Sequence, residues 1–318
     1  MIRGTRSSLQ GGSLLRFLTR RMLTVIVTLF VVSIIVFMMA RVTGDPRAVL
    51  ISDLVTQEQY DALAEKFGLD KSWPEQYWIF ITDALQGDFG DSTRDGLPVW
   101  NSIRNPLVAT LQIGVAAFSF SLLVGVPLGV ISATRRGTIT DQILRLVAMV
   151  GQATPPFWLG IMLIFLFAVN LGWVVPSGRG SLSTYLLPTL TLSAFGIAAN
   201  LRLVRSSMLD VLGSEYIKLA RAKGVSRIAI TWKHAFRNAL IPLITYWGVN
   251  LGSIIAGAVV VEVVFAWPGM GRLAFIATSS GDYPLLQAVV LVFSIGFLVT
   301  SLLVDLIYAV VDPRIRRG

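Results

Sequence analysis

Residues 146–178 read LVAMVGQATPPFWLGIMLIFLFAVNLGWVVPSG, a stretch without a charge, and the number of membrane crossings turns on it. A helix needs about 20 mostly apolar residues to cross a bilayer. This run is long for one crossing, and Pro155-Pro156 interrupts it, so length alone leaves one span or two. The charges around it decide. With one crossing here the chain has six charge-free runs: Met22–Ala40, Asn105–Thr134, Leu146–Gly178, Gly180–Leu201, Asn238–Val261 and Tyr283–Val304. The N-terminus, the Arg135–Arg145 loop, the Arg202–Arg237 loop and the C-terminal tail then share one side. They hold 5, 3, 8 and 3 basic residues, most of the 27 in the chain. A second crossing within 146–178 would push the most basic loop to the other side, against the positive-inside rule. We therefore expect six spans with both termini cytoplasmic. The double proline marks a kinked or locally unwound point, tolerated where protein or a water-filled cavity covers the freed backbone.

Composition agrees with a membrane protein. Of 318 residues, 54% are hydrophobic and only 14% charged, against roughly 25% charged in a soluble domain. Mean hydropathy is +0.70. The first run could pass for a secretory signal, but it exceeds the usual apolar core of about 7–15 residues and no A-x-A site follows. We expect a retained span. The absence of Cys excludes disulfide frameworks, thiolate metal sites and Cys nucleophiles, and a single His, His234, excludes a His cluster. Neither a metal nor a cofactor is expected.

Three energy sources or chemistries can be weighed on the residues. None of the five lysines follows a Gly, so the chain lacks the Gly-Lys of a phosphate-cradling loop. If transport uses ATP, hydrolysis belongs to another polypeptide. Gradient-coupled carriers place ionisable groups near the bilayer midplane, and the charge-free spans have none. Glu262 and Asp305 stand at the outer end of the fifth span and the inner end of the sixth, where each is expected to reach an interface or a sister subunit. An intramembrane serine protease needs Ser with His or Lys inside a span, but no Lys lies in one and no HExxH or GxSxG occurs. No catalytic residue is assigned. The net charge of +9 sorts into +15 on the cytoplasmic segments, −5 outside and −1 from Asp305 in the membrane, so it records orientation and calls for no nucleic-acid partner.

The segment Val42–Asn105 carries eleven of the eighteen acidic groups. After Thr56, Tyr60, Leu63, Ala64 and Phe67 share one helical face, and Gly68 stops it. Ser72-Trp73-Pro74-Glu75 reads as a capping box opening a helix that presents Tyr77, Trp78, Phe80, Ile81 and Leu85 before Gly87. Two readings stay open for this outer segment: a loop packed on its own spans, and a docking surface for an extracytoplasmic partner.

In the Arg202–Arg237 loop, Ser214 is placed to cap a short helix, with Glu215 at its positive end, Lys223 at its negative end and Gly224 closing it. Tyr216, Leu219 and Ala220 form one apolar face, ringed by Lys218, Arg221 and Lys223. About ten residues make a helix of roughly 15 Å, too short to span. It can rest on anionic membrane lipid or fit a cytoplasmic partner's groove. His234 is expected to pack or hydrogen-bond between this helix and the fifth span. A translocation path calls for small and uncharged polar groups: Gln152 and Thr154 at the kink, Asn200, and Asn250 and Ser253 among the glycines of the fifth span. Such residues also serve helix packing, at around 1 kcal/mol for a polar contact. Asn250 is the strongest choice because its amide must find a partner.

The stretch Glu215–Thr245, EYIKLARAKGVSRIAITWKHAFRNALIPLIT, resembles the cytoplasmic loop of ABC-importer permeases, and more narrowly the B-type subunit of the dipeptide/oligopeptide/nickel family. Further matches are GDP at Gly44–Pro46, GDFGDS at Gly87–Ser92, EVVFAWPGMG at Glu262–Gly271 and LLVDLIYAVVDPRIR at Leu302–Arg316. The wider Glu-Ala-Ala-x3-Gly signature falls on Lys218, Leu219, Ala220 and Gly224, of which only Ala220 and Gly224 match, so no role of that Glu is carried over.

The resemblance implies an all-α polytopic fold, six transmembrane helices of the type I importer permease, with a small helical extracytoplasmic segment after the first. Expected boundaries are a cytoplasmic N-terminus at 1–21, the first span at 22–40, the outer segment at 41–105, a five-helix core at 106–311 with its coupling loop at 205–237, and a tail at 312–318. It further implies that residues 214–224 dock into a cleft of one of two cytoplasmic ATPase subunits. ATP binding would swing the permease outward-open, and a substrate-binding protein would deliver the cargo. A sister permease would complete a heterodimer in a bacterial or archaeal plasma membrane. Peptides or related cargo are expected. The alternatives are a gradient-driven carrier or channel acting without an ATPase, and a structural membrane partner with no path.

Overall fold

The computed structural model describes residues 6–43 and 70–311. The expected helix after Thr56, the GDP motif at Gly44–Pro46 and the tail at 312–318 lie outside the described residues, as do the side chains of Asn250, Ser253 and Asp305.

Ten helices organise the description: α1 (Arg6–Thr43), α2 (Trp73–Leu85), α3 (Val99–Thr134), α4 (Ile139–Ala153), α5 (Pro156–Leu163), α6 (Leu182–Leu212), α7 (Glu215–Ala222), α8 (Arg237–Val264), α9 (Met270–Ser280) and α10 (Tyr283–Val311). Residues 19–42, 99–134, 182–212 and 283–304 are each long and apolar enough to cross a membrane. The run Asn238–Val261 lies inside α8, whose 28 residues reach about 42 Å. Two boundaries shift. Helix α3 starts at Val99 and not at Asn105, and α6 continues to Leu212, well past Leu201 where its charge-free run ends.

The double proline does more than kink a helix. Helices α4 and α5 meet at 106°, and together they form one broken span or a re-entrant element. Thr154 sits in extended backbone at φ −79 and ψ 122, the conformation that a following proline imposes. Pro156 occupies the first turn of α5, where its missing N–H leaves no bond unmade. Beyond Leu163 the helix widens into a π-helical stretch, Ile164–Asn170.

The chain divides into two compact units. The first comprises residues 1–109 and 268–318. Within it α1 and α9 pack against α10, and Arg21 Nη2 donates to Ser301 Oγ at 2.9 Å. Val99, Ile103, Met270, Ala277, Leu285 and Val289 form its core. The GDFGDS turn is fixed by a buried carboxylate: Ser92 Oγ donates to Asp282 Oδ2 at 2.5 Å, and the amides of Thr93 and Leu285 donate to Oδ1. Helix α2 lies on α1, with Tyr77 and Phe80 against Phe37 and the Tyr77 hydroxyl 2.8 Å from Ser33 Oγ. Arg41 Nε donates to buried Gln76 at 2.7 Å. Ser72 stands at the N-cap position but makes no side-chain cap bond, so the expected capping box is not closed.

The second unit comprises residues 110–267, with α6 packed against α4, α5 and α8. Helices α3 and α6 approach closely because glycine permits it: a Cβ on Gly129 would lie 2.6 Å from Val204 Cβ.

Candidate functional site

Helix α7 is a short element with one fully buried residue. Ile217 is fully buried in a core that includes Val204, Met208 and Ala235, whereas Tyr216 and Leu219 remain 44% and 57% exposed. The expected face of Tyr216, Leu219 and Ala220 is therefore the outward one, Ala220 being half-buried. Lys218, Arg221 and Lys223 are exposed around it, with Lys218 Nζ 2.7 Å from Glu215 Oε1. The two ends differ from each other. Ser214 does not cap: its hydroxyl donates back to the Val211 carbonyl at 2.6 Å. The C-terminus closes as the sequence implies. Gly224 takes φ +75, its N–H reaches the Arg221 carbonyl, and the Val225 N–H reaches that of Ala220. This is the paired arrangement of a Schellman motif. Tyr216 Oη donates to the His234 carbonyl, and Asn238 Nδ2 donates to both. His234 thus links α7 to the start of α8 through its backbone. Trp232 and Ile228 add exposed apolar surface beside α7.

A second polar centre lies at the base of α6. Asp141, 1% exposed, accepts two parallel bonds from Arg205 Nε and Nη2 at 2.8 and 3.0 Å. Ser132 Oγ donates to it at 2.6 Å and the Gly137 amide at 3.0 Å. One carboxylate thereby joins α3, α4 and α6, and the bidentate geometry is the strong form of this ion pair. In the sequence Asp141 and Arg205 are ordinary loop charges. Their separation of 64 positions leaves no local pattern.

The expected path residues divide. Asn200 is 2% exposed and both ends of its amide are occupied: Nδ2 reaches the Ser121 carbonyl and hydroxyl, and Trp247 Nε1 donates to Oδ1 at 2.8 Å. It ties α3, α6 and α8 together while lining a cavity of about 200 Å3 with Thr154, Thr191 and Tyr246. Gln152 lines a different pocket and accepts from Arg202 Nη1. Nothing is described of the Asn250 and Ser253 side chains. Glu262 does not stand at an interface: it is fully buried, and Thr110 Oγ1 donates to it at 2.5 Å. The turn after it buries Phe265 and Trp267, with Ala266 at φ +48 and Trp267 edge-on to Tyr185 at 4.6 Å.

Long apolar helices, a broken pair and a short basic helix mark a multi-pass helical membrane protein. Comparison with known proteins narrows the class. Residues 125–317 match the family model for the binding-protein-dependent transport system inner membrane component, and residues 14–114 match the model for the N-terminal region of such membrane components. The chain is 38% identical over 304 residues to the glutathione transport system permease protein GsiC of Escherichia coli strain K12, covering 95% of this chain and 99% of that protein. The GsiC of Shigella dysenteriae serotype 1 gives the same figures, and that of Escherichia coli strain CFT073 is 37% identical. Two inward-facing structures of the MetNI methionine ABC transporter share the fold, with TM-scores of 0.56 and 0.55 at 19% identity, over 65% of this chain and 95% of theirs. The chain belongs to the binding-protein-dependent transport system inner membrane component family. It is a non-catalytic permease subunit of an ABC importer of the peptide/nickel type, multi-pass in the inner membrane, working with ATPase and substrate-binding partners.

Proposed function

We propose that this subunit forms half of a path for peptides, glutathione-like tripeptides included, with a sister permease as the other half of a heterodimer. Both termini and the Arg202–Arg237 segment face the cytoplasm, as the basic residues favour. Residues 1–21 and 312–318 are the cytoplasmic ends, 22–40 the first span, 41–105 the outer segment, and 106–311 the five-helix core with its coupling loop at 205–237. Gln152, Asn200, Asn250 and Ser253 serve the path. Helix α7, from Ser214 to Gly224, docks into one of two ATPase subunits.

The observation that carries the docking role is the division of labour on α7. Ile217 and the Tyr216 hydroxyl fasten the helix to its own chain, and Leu219, 57% exposed, stands outward with Lys218, Arg221 and Lys223 around it. The GsiC relatives are permeases of a glutathione transport system, which supports a peptide-like cargo. The test is uptake in proteoliposomes holding the complete importer. Leu219→Glu places a charge in the contact and is expected to lower ATP-driven uptake by about tenfold or more while the protein still inserts and folds. Unchanged uptake in that variant excludes the docking role. Uptake by the permease chains alone, without ATPases, would instead favour a gradient-driven carrier.

A further inference from the structure

A pocket of about 690 Å3 in the second unit carries a surplus of positive charge. Arg145 and Gln152 reach it from α4, Arg202 and Arg205 from α6, and Tyr246 from α8. Arg202 and Arg205 stand three apart and so share a helix face, as do Arg145 and Gln152 two turns apart.

Among the described residues Asp141 is the carboxylate beside Arg205 and Arg145, and its capacity is used. An ionised carboxylate offers about four lone-pair sites. Arg205 Nε and Ser132 Oγ donate to one oxygen, and Arg205 Nη2 and the Gly137 amide to the other. Arg145 stands 3.8 Å away from the already occupied oxygen. Arg202 donates to the neutral amide oxygen of Gln152. Neither Asp210 nor Glu215, the next acidic residues along the chain, lines the pocket, and Glu215 is paired with Lys218. Three guanidinium groups against one carboxylate leave two positive charges facing the pocket.

We propose that this pocket is a selective site for the carboxylate groups of a peptide-like cargo, with Arg202 as the principal ligand and Arg145 as the second; this rests on the permease reading above. Guanidinium binds carboxylate through two parallel N–H···O bonds, and Gln152 holds Arg202 with the remainder of its fork available. Arg205 is a positioning residue, committed to Asp141. The volume falls within the range of about 300–1,000 Å3 usual for small-molecule sites. Tyr246 also lines the cavity that contains Thr154 and Asn200. The arginine pocket thus shares a wall with the candidate path, which favours cargo over a lipid phosphate as its occupant.

The test uses the complete importer without its binding protein, in nanodiscs of phosphatidylcholine, with glutathione and its diamide as probes. Wild type is expected to bind glutathione roughly tenfold more tightly than the diamide, the effect of a charge-assisted bidentate contact. Arg202→Gln should remove that preference without lowering thermal stability, and Arg202→Lys should retain part of it. No preference in wild type, or an unchanged one in Arg202→Gln, overturns the proposal. A preference that disappears when phosphatidylglycerol is mixed into the nanodisc assigns the pocket to lipid phosphate and overturns it as well. Uptake by the full system with binding protein and ATP is read separately. A preference lost in Arg202→Gln, in a system that takes up no peptide, keeps the carboxylate site and removes the peptide-path reading.

Discussion

Helices α2 and α7 are both short, amphipathic and non-spanning, yet their own chain holds them in different ways. Helix α2 is held by several side chains: Tyr77 and Phe80 pack on Phe37, Tyr77 bonds to Ser33, and Arg41 reaches Gln76. Each helix buries one residue, Gln76 in α2 and Ile217 in α7, but α7 adds only the bonds of the Tyr216 hydroxyl to the His234 carbonyl and Asn238 and leaves Leu219 outside. These contacts make α2 part of the body of its unit, although Trp73, Trp78 and Leu85 stay exposed. Attachment through Ile217 and the Tyr216 hydroxyl gives α7 a fixed position and leaves Leu219 uncovered, which suits the proposed contact with an ATPase.

The comparison can be broken by substitution. Leu219→Glu carries the largest expected effect on transport, the loss of about tenfold or more in ATP-driven uptake with folding retained. Next comes Ile217→Ala, which hollows the anchor. It should cost about 2–5 kcal/mol of stability where the site cannot collapse, and lower uptake because α7 loses its position. Thermal unfolding in detergent alongside uptake measures both, and a variant with full stability and full uptake would show that Ile217 anchors nothing. The smallest effect is assigned to Tyr77→Phe. It removes the Ser33 bond, worth about 1 kcal/mol, while the ring still packs on Phe37. ATPase coupling should be unchanged, and uncoupling in Tyr77→Phe would erase the distinction between the two helices.

Local signals in the sequence reach a definite depth. Charge-free runs located the long helices because exclusion of charge from hydrocarbon acts on each residue separately. Gly224 was legible for a similar reason, since positive φ at a helix end is a property of one residue. The bend at Pro155-Pro156 was legible in position but not in size. Proline removes hydrogen bonds, whereas the 106° turn depends on how α4 and α5 pack against α6. The anchor Ile217 was missed because the spacing of Tyr216, Leu219 and Ala220 mimics a buried stripe, and only the tertiary core reveals that the inward residue lies between them. The Asp141–Arg205 and Ser92–Asp282 contacts join residues 64 and 190 positions apart, beyond any periodicity. Glu262 misled for a related reason: its place at a span end pointed to an interface, and its partner Thr110 lies 152 positions away.

The most direct measurement of the docking claim exploits the absence of Cys from this chain. Single Leu219→Cys and Trp78→Cys variants, each in the complete importer, would be treated with a short thiol-reactive crosslinker and resolved by mass. Leu219→Cys is expected to crosslink to an ATPase subunit, with a yield that changes when ATP is added, and Trp78→Cys is expected to give no ATPase adduct. Failure of Leu219→Cys to reach the ATPase under any nucleotide condition, or an ATPase adduct from Trp78→Cys, would contradict the account.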